Sequence, residues 1–160
     1  MVDSCYNQLR KRASLSSSSL SIVSELKSGS AWYVPGGCST IGRLFNDACG
    51  RYAFAEDKHS GSIPLAFETV FDKAGDADVW TIKYNRDRDM TYSDLKADYI
   101  GYTGFKAFKT RNIYGCNTAK VPFYEETPFR PDYLLSDLIQ ILHPEIGDLG
   151  GLRYFCKLNE

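Results

Sequence analysis

The segment Leu65–Asn85 constrains the fold most strongly, because it combines a helical pattern, a tight turn, a strand pattern and a polar loop. Apolar residues recur at helical spacing in its first half: Phe67, Val70, Phe71 and Ala74. Gly75 is placed to end the helix in a left-handed conformation. Val79–Tyr84 is rich in β-branched and aromatic residues, which predicts a strand. This order is typical of a parallel α/β layer, in which the loop after the strand meets ligands.

The rest of the chain alternates between helical and strand patterns. Further strands are predicted at Ser21–Leu26, Arg51–Ala55 and Ile113–Asn117. Helices are predicted at Ser4–Ala13, from Ser39 or Thr40 to Ala48, at Tyr92–Asp98 after the cap Thr91, at Phe105–Lys109, and from Pro131 to Pro144. The alternation indicates an α/β fold: a layered, Rossmann-like domain with a largely parallel sheet flanked by helices.

Length and charge narrow the range of functions. A chain of 160 residues has the size of one domain with its own core. Its net charge of -1 gives no electrostatic reason to expect nucleic acid as a partner. The five cysteines are widely separated and lack metal-ligand spacing, so we expect simple thiols. The basic residues Arg10–Arg12 precede serines instead of an apolar run; as written, the chain lacks a signal peptide and is predicted to be cytoplasmic.

No residue set for catalysis, a cofactor or a metal emerges from the sequence. The nucleotide-binding, hydrolase and zinc-protease motifs are missing. The adjacent Glu125 and Glu126 are expected in a solvated loop, and His59 is expected to be solvated too. His143 at a helix end is explained by the helix dipole. The glycine pair 36–37 before a helix could bind an anion, although a simple tight turn is the commoner use. We therefore predict that the chain is not an enzyme.

The adjacent aromatic residues Trp32 and Tyr33 pose a separate question. Successive side chains of an extended segment point in opposite directions, so both cannot face one core. Either one of them is exposed at a binding site or a neighbouring loop covers it. The sequence leaves these two alternatives open.

Five segments in a fixed order resemble one known family. They are Trp32–Gly37 (WYVPGG), Asn46–Tyr52 (NDACGRY), Leu65–Trp80 (LAFETVFDKAGDADVW), Tyr102–Tyr114 (YTGFKAFKTRNIY) and Arg130–Glu145 (RPDYLLSDLIQILHPE). Together they are similar to the C-terminal lobe of the periplasmic substrate-binding proteins that serve ABC importers of iron–siderophore complexes and cobalamin. The resemblance is closest to the lipoprotein branch of Bacteroides-like bacteria.

The resemblance implies a non-catalytic receptor whose two α/β lobes hold an iron chelate or cobalamin and deliver it to a membrane permease. It implies that Glu68 docks onto the permease. It also implies ligand contacts from loops at the cleft: Trp32, Tyr33, Tyr84, Asn85, Arg86 and Tyr124. Intact members of the family are periplasmic or membrane-anchored lipoproteins.

The resemblance also suggests a division of the chain. Residues 1–19 would be the remnant of a connecting helix and a flexible serine tract, and residues 20–160 would form the C-terminal lobe, with the N-terminal lobe absent. Two other classes stay open at this point. A stand-alone α/β domain could bind a protein through its exposed aromatic residues, and an enzyme would need a catalytic pair that converges in one pocket.

Overall fold

The computed structural model describes all 160 residues, and its centre is a five-stranded sheet. The strands are β1 (Ser21–Ser24), β4 (Arg51–Tyr52), β6 (Val79–Tyr84), β7 (Ile113–Asn117) and β8 (Cys156–Lys157). Their order in the sheet is β4-β1-β6-β7-β8. The first four strands of this order are parallel, and β8 runs antiparallel to β7 at the edge. The predicted α/β class with a largely parallel sheet is confirmed.

A second, antiparallel sheet extends from the carboxyl end of β1. It contains β2 (Lys27–Ser28), β3 (Ala31–Pro35) and β5 (Ser62–Leu65) in the order β2-β3-β5. Trp32 lies opposite Leu65 in its register. The sequence pattern did not predict this small sheet.

Helices cover the parallel sheet. They are α1 (Val2–Ser14), α2 (Thr40–Asp47), α3 (Phe67–Ala74), α4 (Tyr92–Asp98), α5 (Lys106–Lys109), α6 (Phe123–Glu126) and α7 (Pro131–Leu142), with a 3-10 turn at Ile100–Gly104. A capping box between Thr91 and Asp94 begins α4, as predicted. The helix α1 packs against α7. No helix combines the length and the apolar character needed to cross a lipid bilayer.

A cluster of aromatic rings joins the two sheets. Trp32 of β3 stacks on Trp80 of β6 with ring centroids 5.8 Å apart, and Phe105 lies 4.9 Å from Trp80. Tyr102 meets both tryptophans edge-on, at 5.9 and 5.3 Å. Such pairs add about 0.5–1.5 kcal/mol each beyond the burial of their area. The cluster therefore fixes the small sheet against the parallel one.

The strands β6 and β7 and the helix α4 have the predicted bounds. The strand β1 ends at Ser24, before the predicted Leu26, because Glu25 adopts a φ of 75°. The strand β4 contains only two residues, Arg51 and Tyr52, instead of the predicted Arg51–Ala55. The prediction of a left-handed Gly75 is wrong, since its φ is -62°. The serine tract after α1 makes hydrogen bonds, from Ser18 Oγ to Glu145 Oε2 at 2.9 Å and from Ser19 Oγ to the Cys49 carbonyl at 2.6 Å.

Candidate ligand-binding site

The carboxyl ends of the four parallel strands meet at one edge of the sheet, and an open groove of about 390 Å³ lies there. Its lining comes from the residue after β1, from β3, from the start of α2, from the start of β5, from the end of β6 and from α6. The lining includes Glu25, Tyr33, Thr40, Ile41, Lys83 and Tyr124. In open α/β sheets this edge is where ligands bind.

The structure separates the adjacent aromatic residues of β3. Trp32 is completely buried, and its indole Nε1 donates to the Ser24 carbonyl at 3.0 Å. Tyr33 points the other way and is 50% exposed at the groove. A side chain without accessible surface cannot contact a ligand, so the prediction of Trp32 as a ligand contact is wrong. The pleat of β3 explains both placements, because alternate side chains lie on opposite faces.

Tyr124 is the second exposed aromatic residue of the groove. It lies in the short helix α6, is 61% exposed, and packs edge-on against the buried Phe123 with ring centroids 5.2 Å apart. Phe123 anchors α6 in the core and leaves the Tyr124 ring available at the surface. Tyr33 and Tyr124 were predicted from separate segments, and the fold brings them to one groove.

The same groove contains an ion pair that the sequence did not predict. Lys83 Nζ is 3.1 Å from Glu25 Oε1, and both side chains are about one-fifth exposed. The Glu25 backbone is fixed at both ends: its N–H donates to the Thr81 carbonyl and its carbonyl accepts from Trp80 Nε1, each at 2.9 Å. Lys83 was visible in the sequence as a charge inside an otherwise apolar strand pattern. Glu25 gave no comparable signal.

The predicted loop Tyr84–Arg86 is held beside the groove instead of lining it. The Tyr84 hydroxyl accepts from the Met90 N–H at 3.0 Å, and burial raises the pKa of Tyr84. The Asn85 amide donates to Thr118 Oγ1 at 3.2 Å. The Arg86 guanidinium forms an ion pair with Asp98 at 3.1 Å.

Asn117 at the end of β7 holds this loop through hydrogen bonds to the backbone of Arg86. Its side chain is 5% exposed, accepts from the Arg86 N–H at 3.2 Å and donates to the Arg86 carbonyl at 2.9 Å. The two hydrogen bonds satisfy the backbone N–H and the carbonyl of Arg86. Asn85 and Arg86 therefore present exposed side chains from a fixed backbone at the same edge of the sheet as Tyr33.

Glu68 lies in the first turn of α3, as predicted, and its side chain is exposed. It forms no ion pair within the chain. The helix α3 ends in the turn that enters β6 at its amino end, so the first turn of α3 points towards the carboxyl edge of the sheet. The position near the helix N-terminus stabilises the carboxylate.

The other polar residues considered above serve the fold. His143 is completely buried and its Nε2 hydrogen-bonds the Ala48 carbonyl at 2.7 Å, so a contact between α7 and the end of α2 explains it better than the dipole. Glu126 accepts from the Tyr154 hydroxyl at 2.6 Å, whereas Glu125 is exposed. His59 is exposed beside Asp57. The five cysteines are free thiols, and no group of three or more potential ligands is placed to hold a metal ion.

The glycine pair before α2 is required by packing. A Cβ on Gly36 would collide with the carbonyl oxygen of His59, and a Cβ on Gly37 would collide with that of Ala55. The loop that leads into β5 therefore lies directly against this turn. Packing therefore requires the tight turn that was predicted as the commoner use of the pair.

Comparisons with known proteins agree with this architecture. Residues 2–119 match the profile of a family described as periplasmic binding proteins. An uncharacterised lipoprotein of Methanocaldococcus jannaschii is 31% identical over 128 residues, which are 79% of this chain and 30% of that protein. The chain thus spans less than a third of that relative.

Solved structures show the same fold at low sequence identity. The TroA-like periplasmic binding protein FepB of Veillonella parvula superimposes with a TM-score of 0.68 at 14% sequence identity. The superposition covers 99% of this chain and 54% of the FepB chain. A periplasmic heme-binding protein of Pseudomonas aeruginosa superimposes with a TM-score of 0.67 at 13% sequence identity, over 97% of this chain and 53% of that protein's chain. This chain therefore has the fold of one lobe. It belongs to the periplasmic binding protein family, whose members bind solutes without catalysis, as predicted.

Proposed function

We propose that this chain is the C-terminal lobe of a receptor that binds an iron chelate, haem-like or siderophore, or cobalamin for an ABC importer. The observation that carries the proposal is the shared groove of Tyr33 and Tyr124, two exposed aromatic residues at the carboxyl edge of a parallel sheet. Aromatic faces stack on large flat ligands and exclude water from them. The family and the heme-binding relative from Pseudomonas aeruginosa support a solute of this kind.

The wider arrangement follows from the same proposal. A second lobe would cover the groove, and α1, which packs on α7, would belong to the helix that joins the lobes. The ligand would lie against Tyr33 and Tyr124, with Asn85 and Arg86 at the margin and Tyr84 supporting their loop. A receptor of this family works in the periplasm or anchored to a membrane, and we propose that setting for the intact protein.

Glu68 is the proposed contact with the permease. Its carboxylate is exposed, has no cationic partner in the chain, and lies on the side of the lobe that faces the carboxyl edge. An exposed charge of this kind guides an encounter with an arginine of a partner and adds specificity to it.

The test is a titration of the intact two-lobed receptor with haem, a ferric siderophore and cobalamin, followed by calorimetry, because the second lobe completes the site. We expect saturable binding of one of the three, weakened by Tyr33→Ala and by Tyr124→Ala. Ile100→Ala is the matched control, because Ile100 is 63% exposed and does not line the groove. Absence of binding by all three, or equal weakening by Ile100→Ala, would contradict the proposal. A stable protein complex formed by the tyrosine surface would favour an interaction domain.

A further inference from the structure

The first turn of α2 contains two backbone amides without acceptors in the chain, and both belong to residues that line the groove. Ser39 caps the helix: its Oγ accepts from the Gly42 N–H at 3.0 Å and its carbonyl accepts from the Arg43 N–H at 2.9 Å. The N–H groups of Thr40 and Ile41 donate to no group of the chain, and both residues line the groove. Free amides at the positive end of a helix dipole attract a negatively charged group.

The groove contains a single cationic side chain, that of Lys83. Its ammonium lies 3.1 Å from the Glu25 carboxylate and 5.1 Å from the centroid of the Phe123 ring. The lysine stem carries four rotatable bonds that let the ammonium move. Lys83 can therefore exchange the Glu25 carboxylate for another anionic oxygen at short range.

The buried hydroxyl of Ser24, the residue before Glu25, has no hydrogen-bond partner in the chain. Ser24 is 2% exposed, and its Oγ makes no hydrogen bond. It faces a small cavity of about 20 Å³ that shares Glu25, Ile41 and Lys83 with the groove. A cavity of this size holds about one water molecule. A water molecule in this cavity that also contacts an anion in the groove would give the Ser24 hydroxyl the acceptor that the chain does not supply.

We propose that the Thr40 and Ile41 amides together with Lys83 form an anion subsite, and that the solute presents a carboxylate or a comparable anionic oxygen to it. The Glu25 carboxylate competes for Lys83, and the Lys83 ammonium exchanges it for the anionic oxygen when the solute binds. This inference rests on the proposed function, because it assigns a charge to the solute of the same groove. Substitutions of Lys83 and of Glu25 should therefore change the affinity for the anion in opposite directions, because Lys83 attracts the anion and Glu25 competes with it.

The subsite is tested with citrate, a tricarboxylate, in a titration followed by ¹⁵N–¹H correlation spectra. We expect saturable shifts of the Thr40 and Ile41 amides. Lys83→Met is expected to weaken citrate binding about tenfold or more, because a hydrogen bond to a charged group is lost. Glu25→Gln is expected to strengthen it several-fold. Lys106→Met is the matched control, since Lys106 is also ion-paired but lies at the opposite edge of the sheet.

Unaltered Thr40 and Ile41 signals, or equal effects of Lys83→Met and Lys106→Met, would overturn the subsite. The dispersion of each spectrum reports whether the variant is folded, and Glu25→Gln supplies a test that does not depend on Lys83→Met.

A second comparison uses a ferric tricatecholate, of charge -3, and a neutral ferric trihydroxamate. We expect the first to bind more tightly and to lose that preference in Lys83→Met. Binding of both chelates without any dependence on Lys83 would refute the subsite and leave the receptor function intact. Citrate binding without binding of either chelate or of haem would support the subsite and refute the chelate receptor.

Discussion

The two edges of the parallel sheet are built differently. At the amino edge, Asp78 accepts from the Ser21 N–H at 3.0 Å and the Ser21 hydroxyl at 3.1 Å, and forms ion pairs with Lys106 at 2.6 Å and Arg51 at 3.4 Å. At the carboxyl edge, by contrast, the backbone amides of Thr40 and Ile41 have no acceptor in the chain. The rings of Tyr33 and Tyr124 are exposed there. The amino edge thus satisfies its own polar groups, and the carboxyl edge keeps groups available for a solute.

The largest effect on stability is expected at the amino edge. Asp78→Ala removes the acceptor of the Ser21 amide and should lower the free energy of unfolding by about 2 kcal/mol. Urea unfolding followed by circular dichroism measures it. The control is Asp72→Ala, an exposed acid of α3, with an expected change within about 0.5 kcal/mol. Equal effects of the two variants would mean that the Asp78 network does not stabilise the fold.

Asp78 also predicts a dependence of stability on pH. Burial raises the pKa of this carboxyl, but hydrogen bonds from Lys106 and Ser21 outweigh burial and lower the pKa below its ordinary value. A lowered pKa in the folded state means that the stabilisation is present above the unfolded pKa of about 4 and is lost as pH falls through the folded pKa. Unfolding curves of Asp78→Asn should show a weaker loss of stability below pH 4. An unchanged acid slope would contradict the contribution of Asp78.

Substitution of the groove tyrosines Tyr33 and Tyr124 should weaken ligand binding and leave the stability of the fold almost unchanged. Tyr33→Ala and Tyr124→Ala remove rings that are already half-exposed or more, so the free energy of unfolding should change by about 0.5 kcal/mol or less. Affinity for the bound chelate should fall about fivefold for each, as expected for the loss of one stacking contact of about 1 kcal/mol. Paired calorimetric and unfolding measurements separate the two quantities. A large loss of stability with unchanged affinity would assign these rings to the core.

The smallest effect on the isolated chain is expected for Glu68→Ala. The side chain is exposed and makes no ion pair, so neither stability nor chelate affinity should change. The effect should appear only with the permease, as weaker stimulation of its ATPase activity by the intact receptor. Asp72→Ala serves as the control on the same helix. Full stimulation by Glu68→Ala would contradict the docking role.

Regular segments of this fold were predictable, and long-range placements were not. The β-branched and aromatic residues of β6 and the capping box of α4 are local features, so the sequence alone was enough to predict both elements. The exposure of Tyr33 over Trp32 depends on which face of β3 meets Trp80, a contact between distant segments. The pair Glu25–Lys83 joins residues 58 positions apart through a left-handed residue after β1, which local patterns do not reveal.

The most direct test of the difference between the two edges is a map of amide shifts on titration with a gallium(III) tricatecholate, a diamagnetic stand-in for the ferric chelate. We expect shifts at the carboxyl edge, at Tyr33, Thr40, Lys83 and Tyr124, and unchanged signals at Ser21, Asp78 and Lys106 of the amino edge. Shifts centred on the amino edge, or spread evenly over both edges, would contradict the assignment of the carboxyl edge as the solute-binding face.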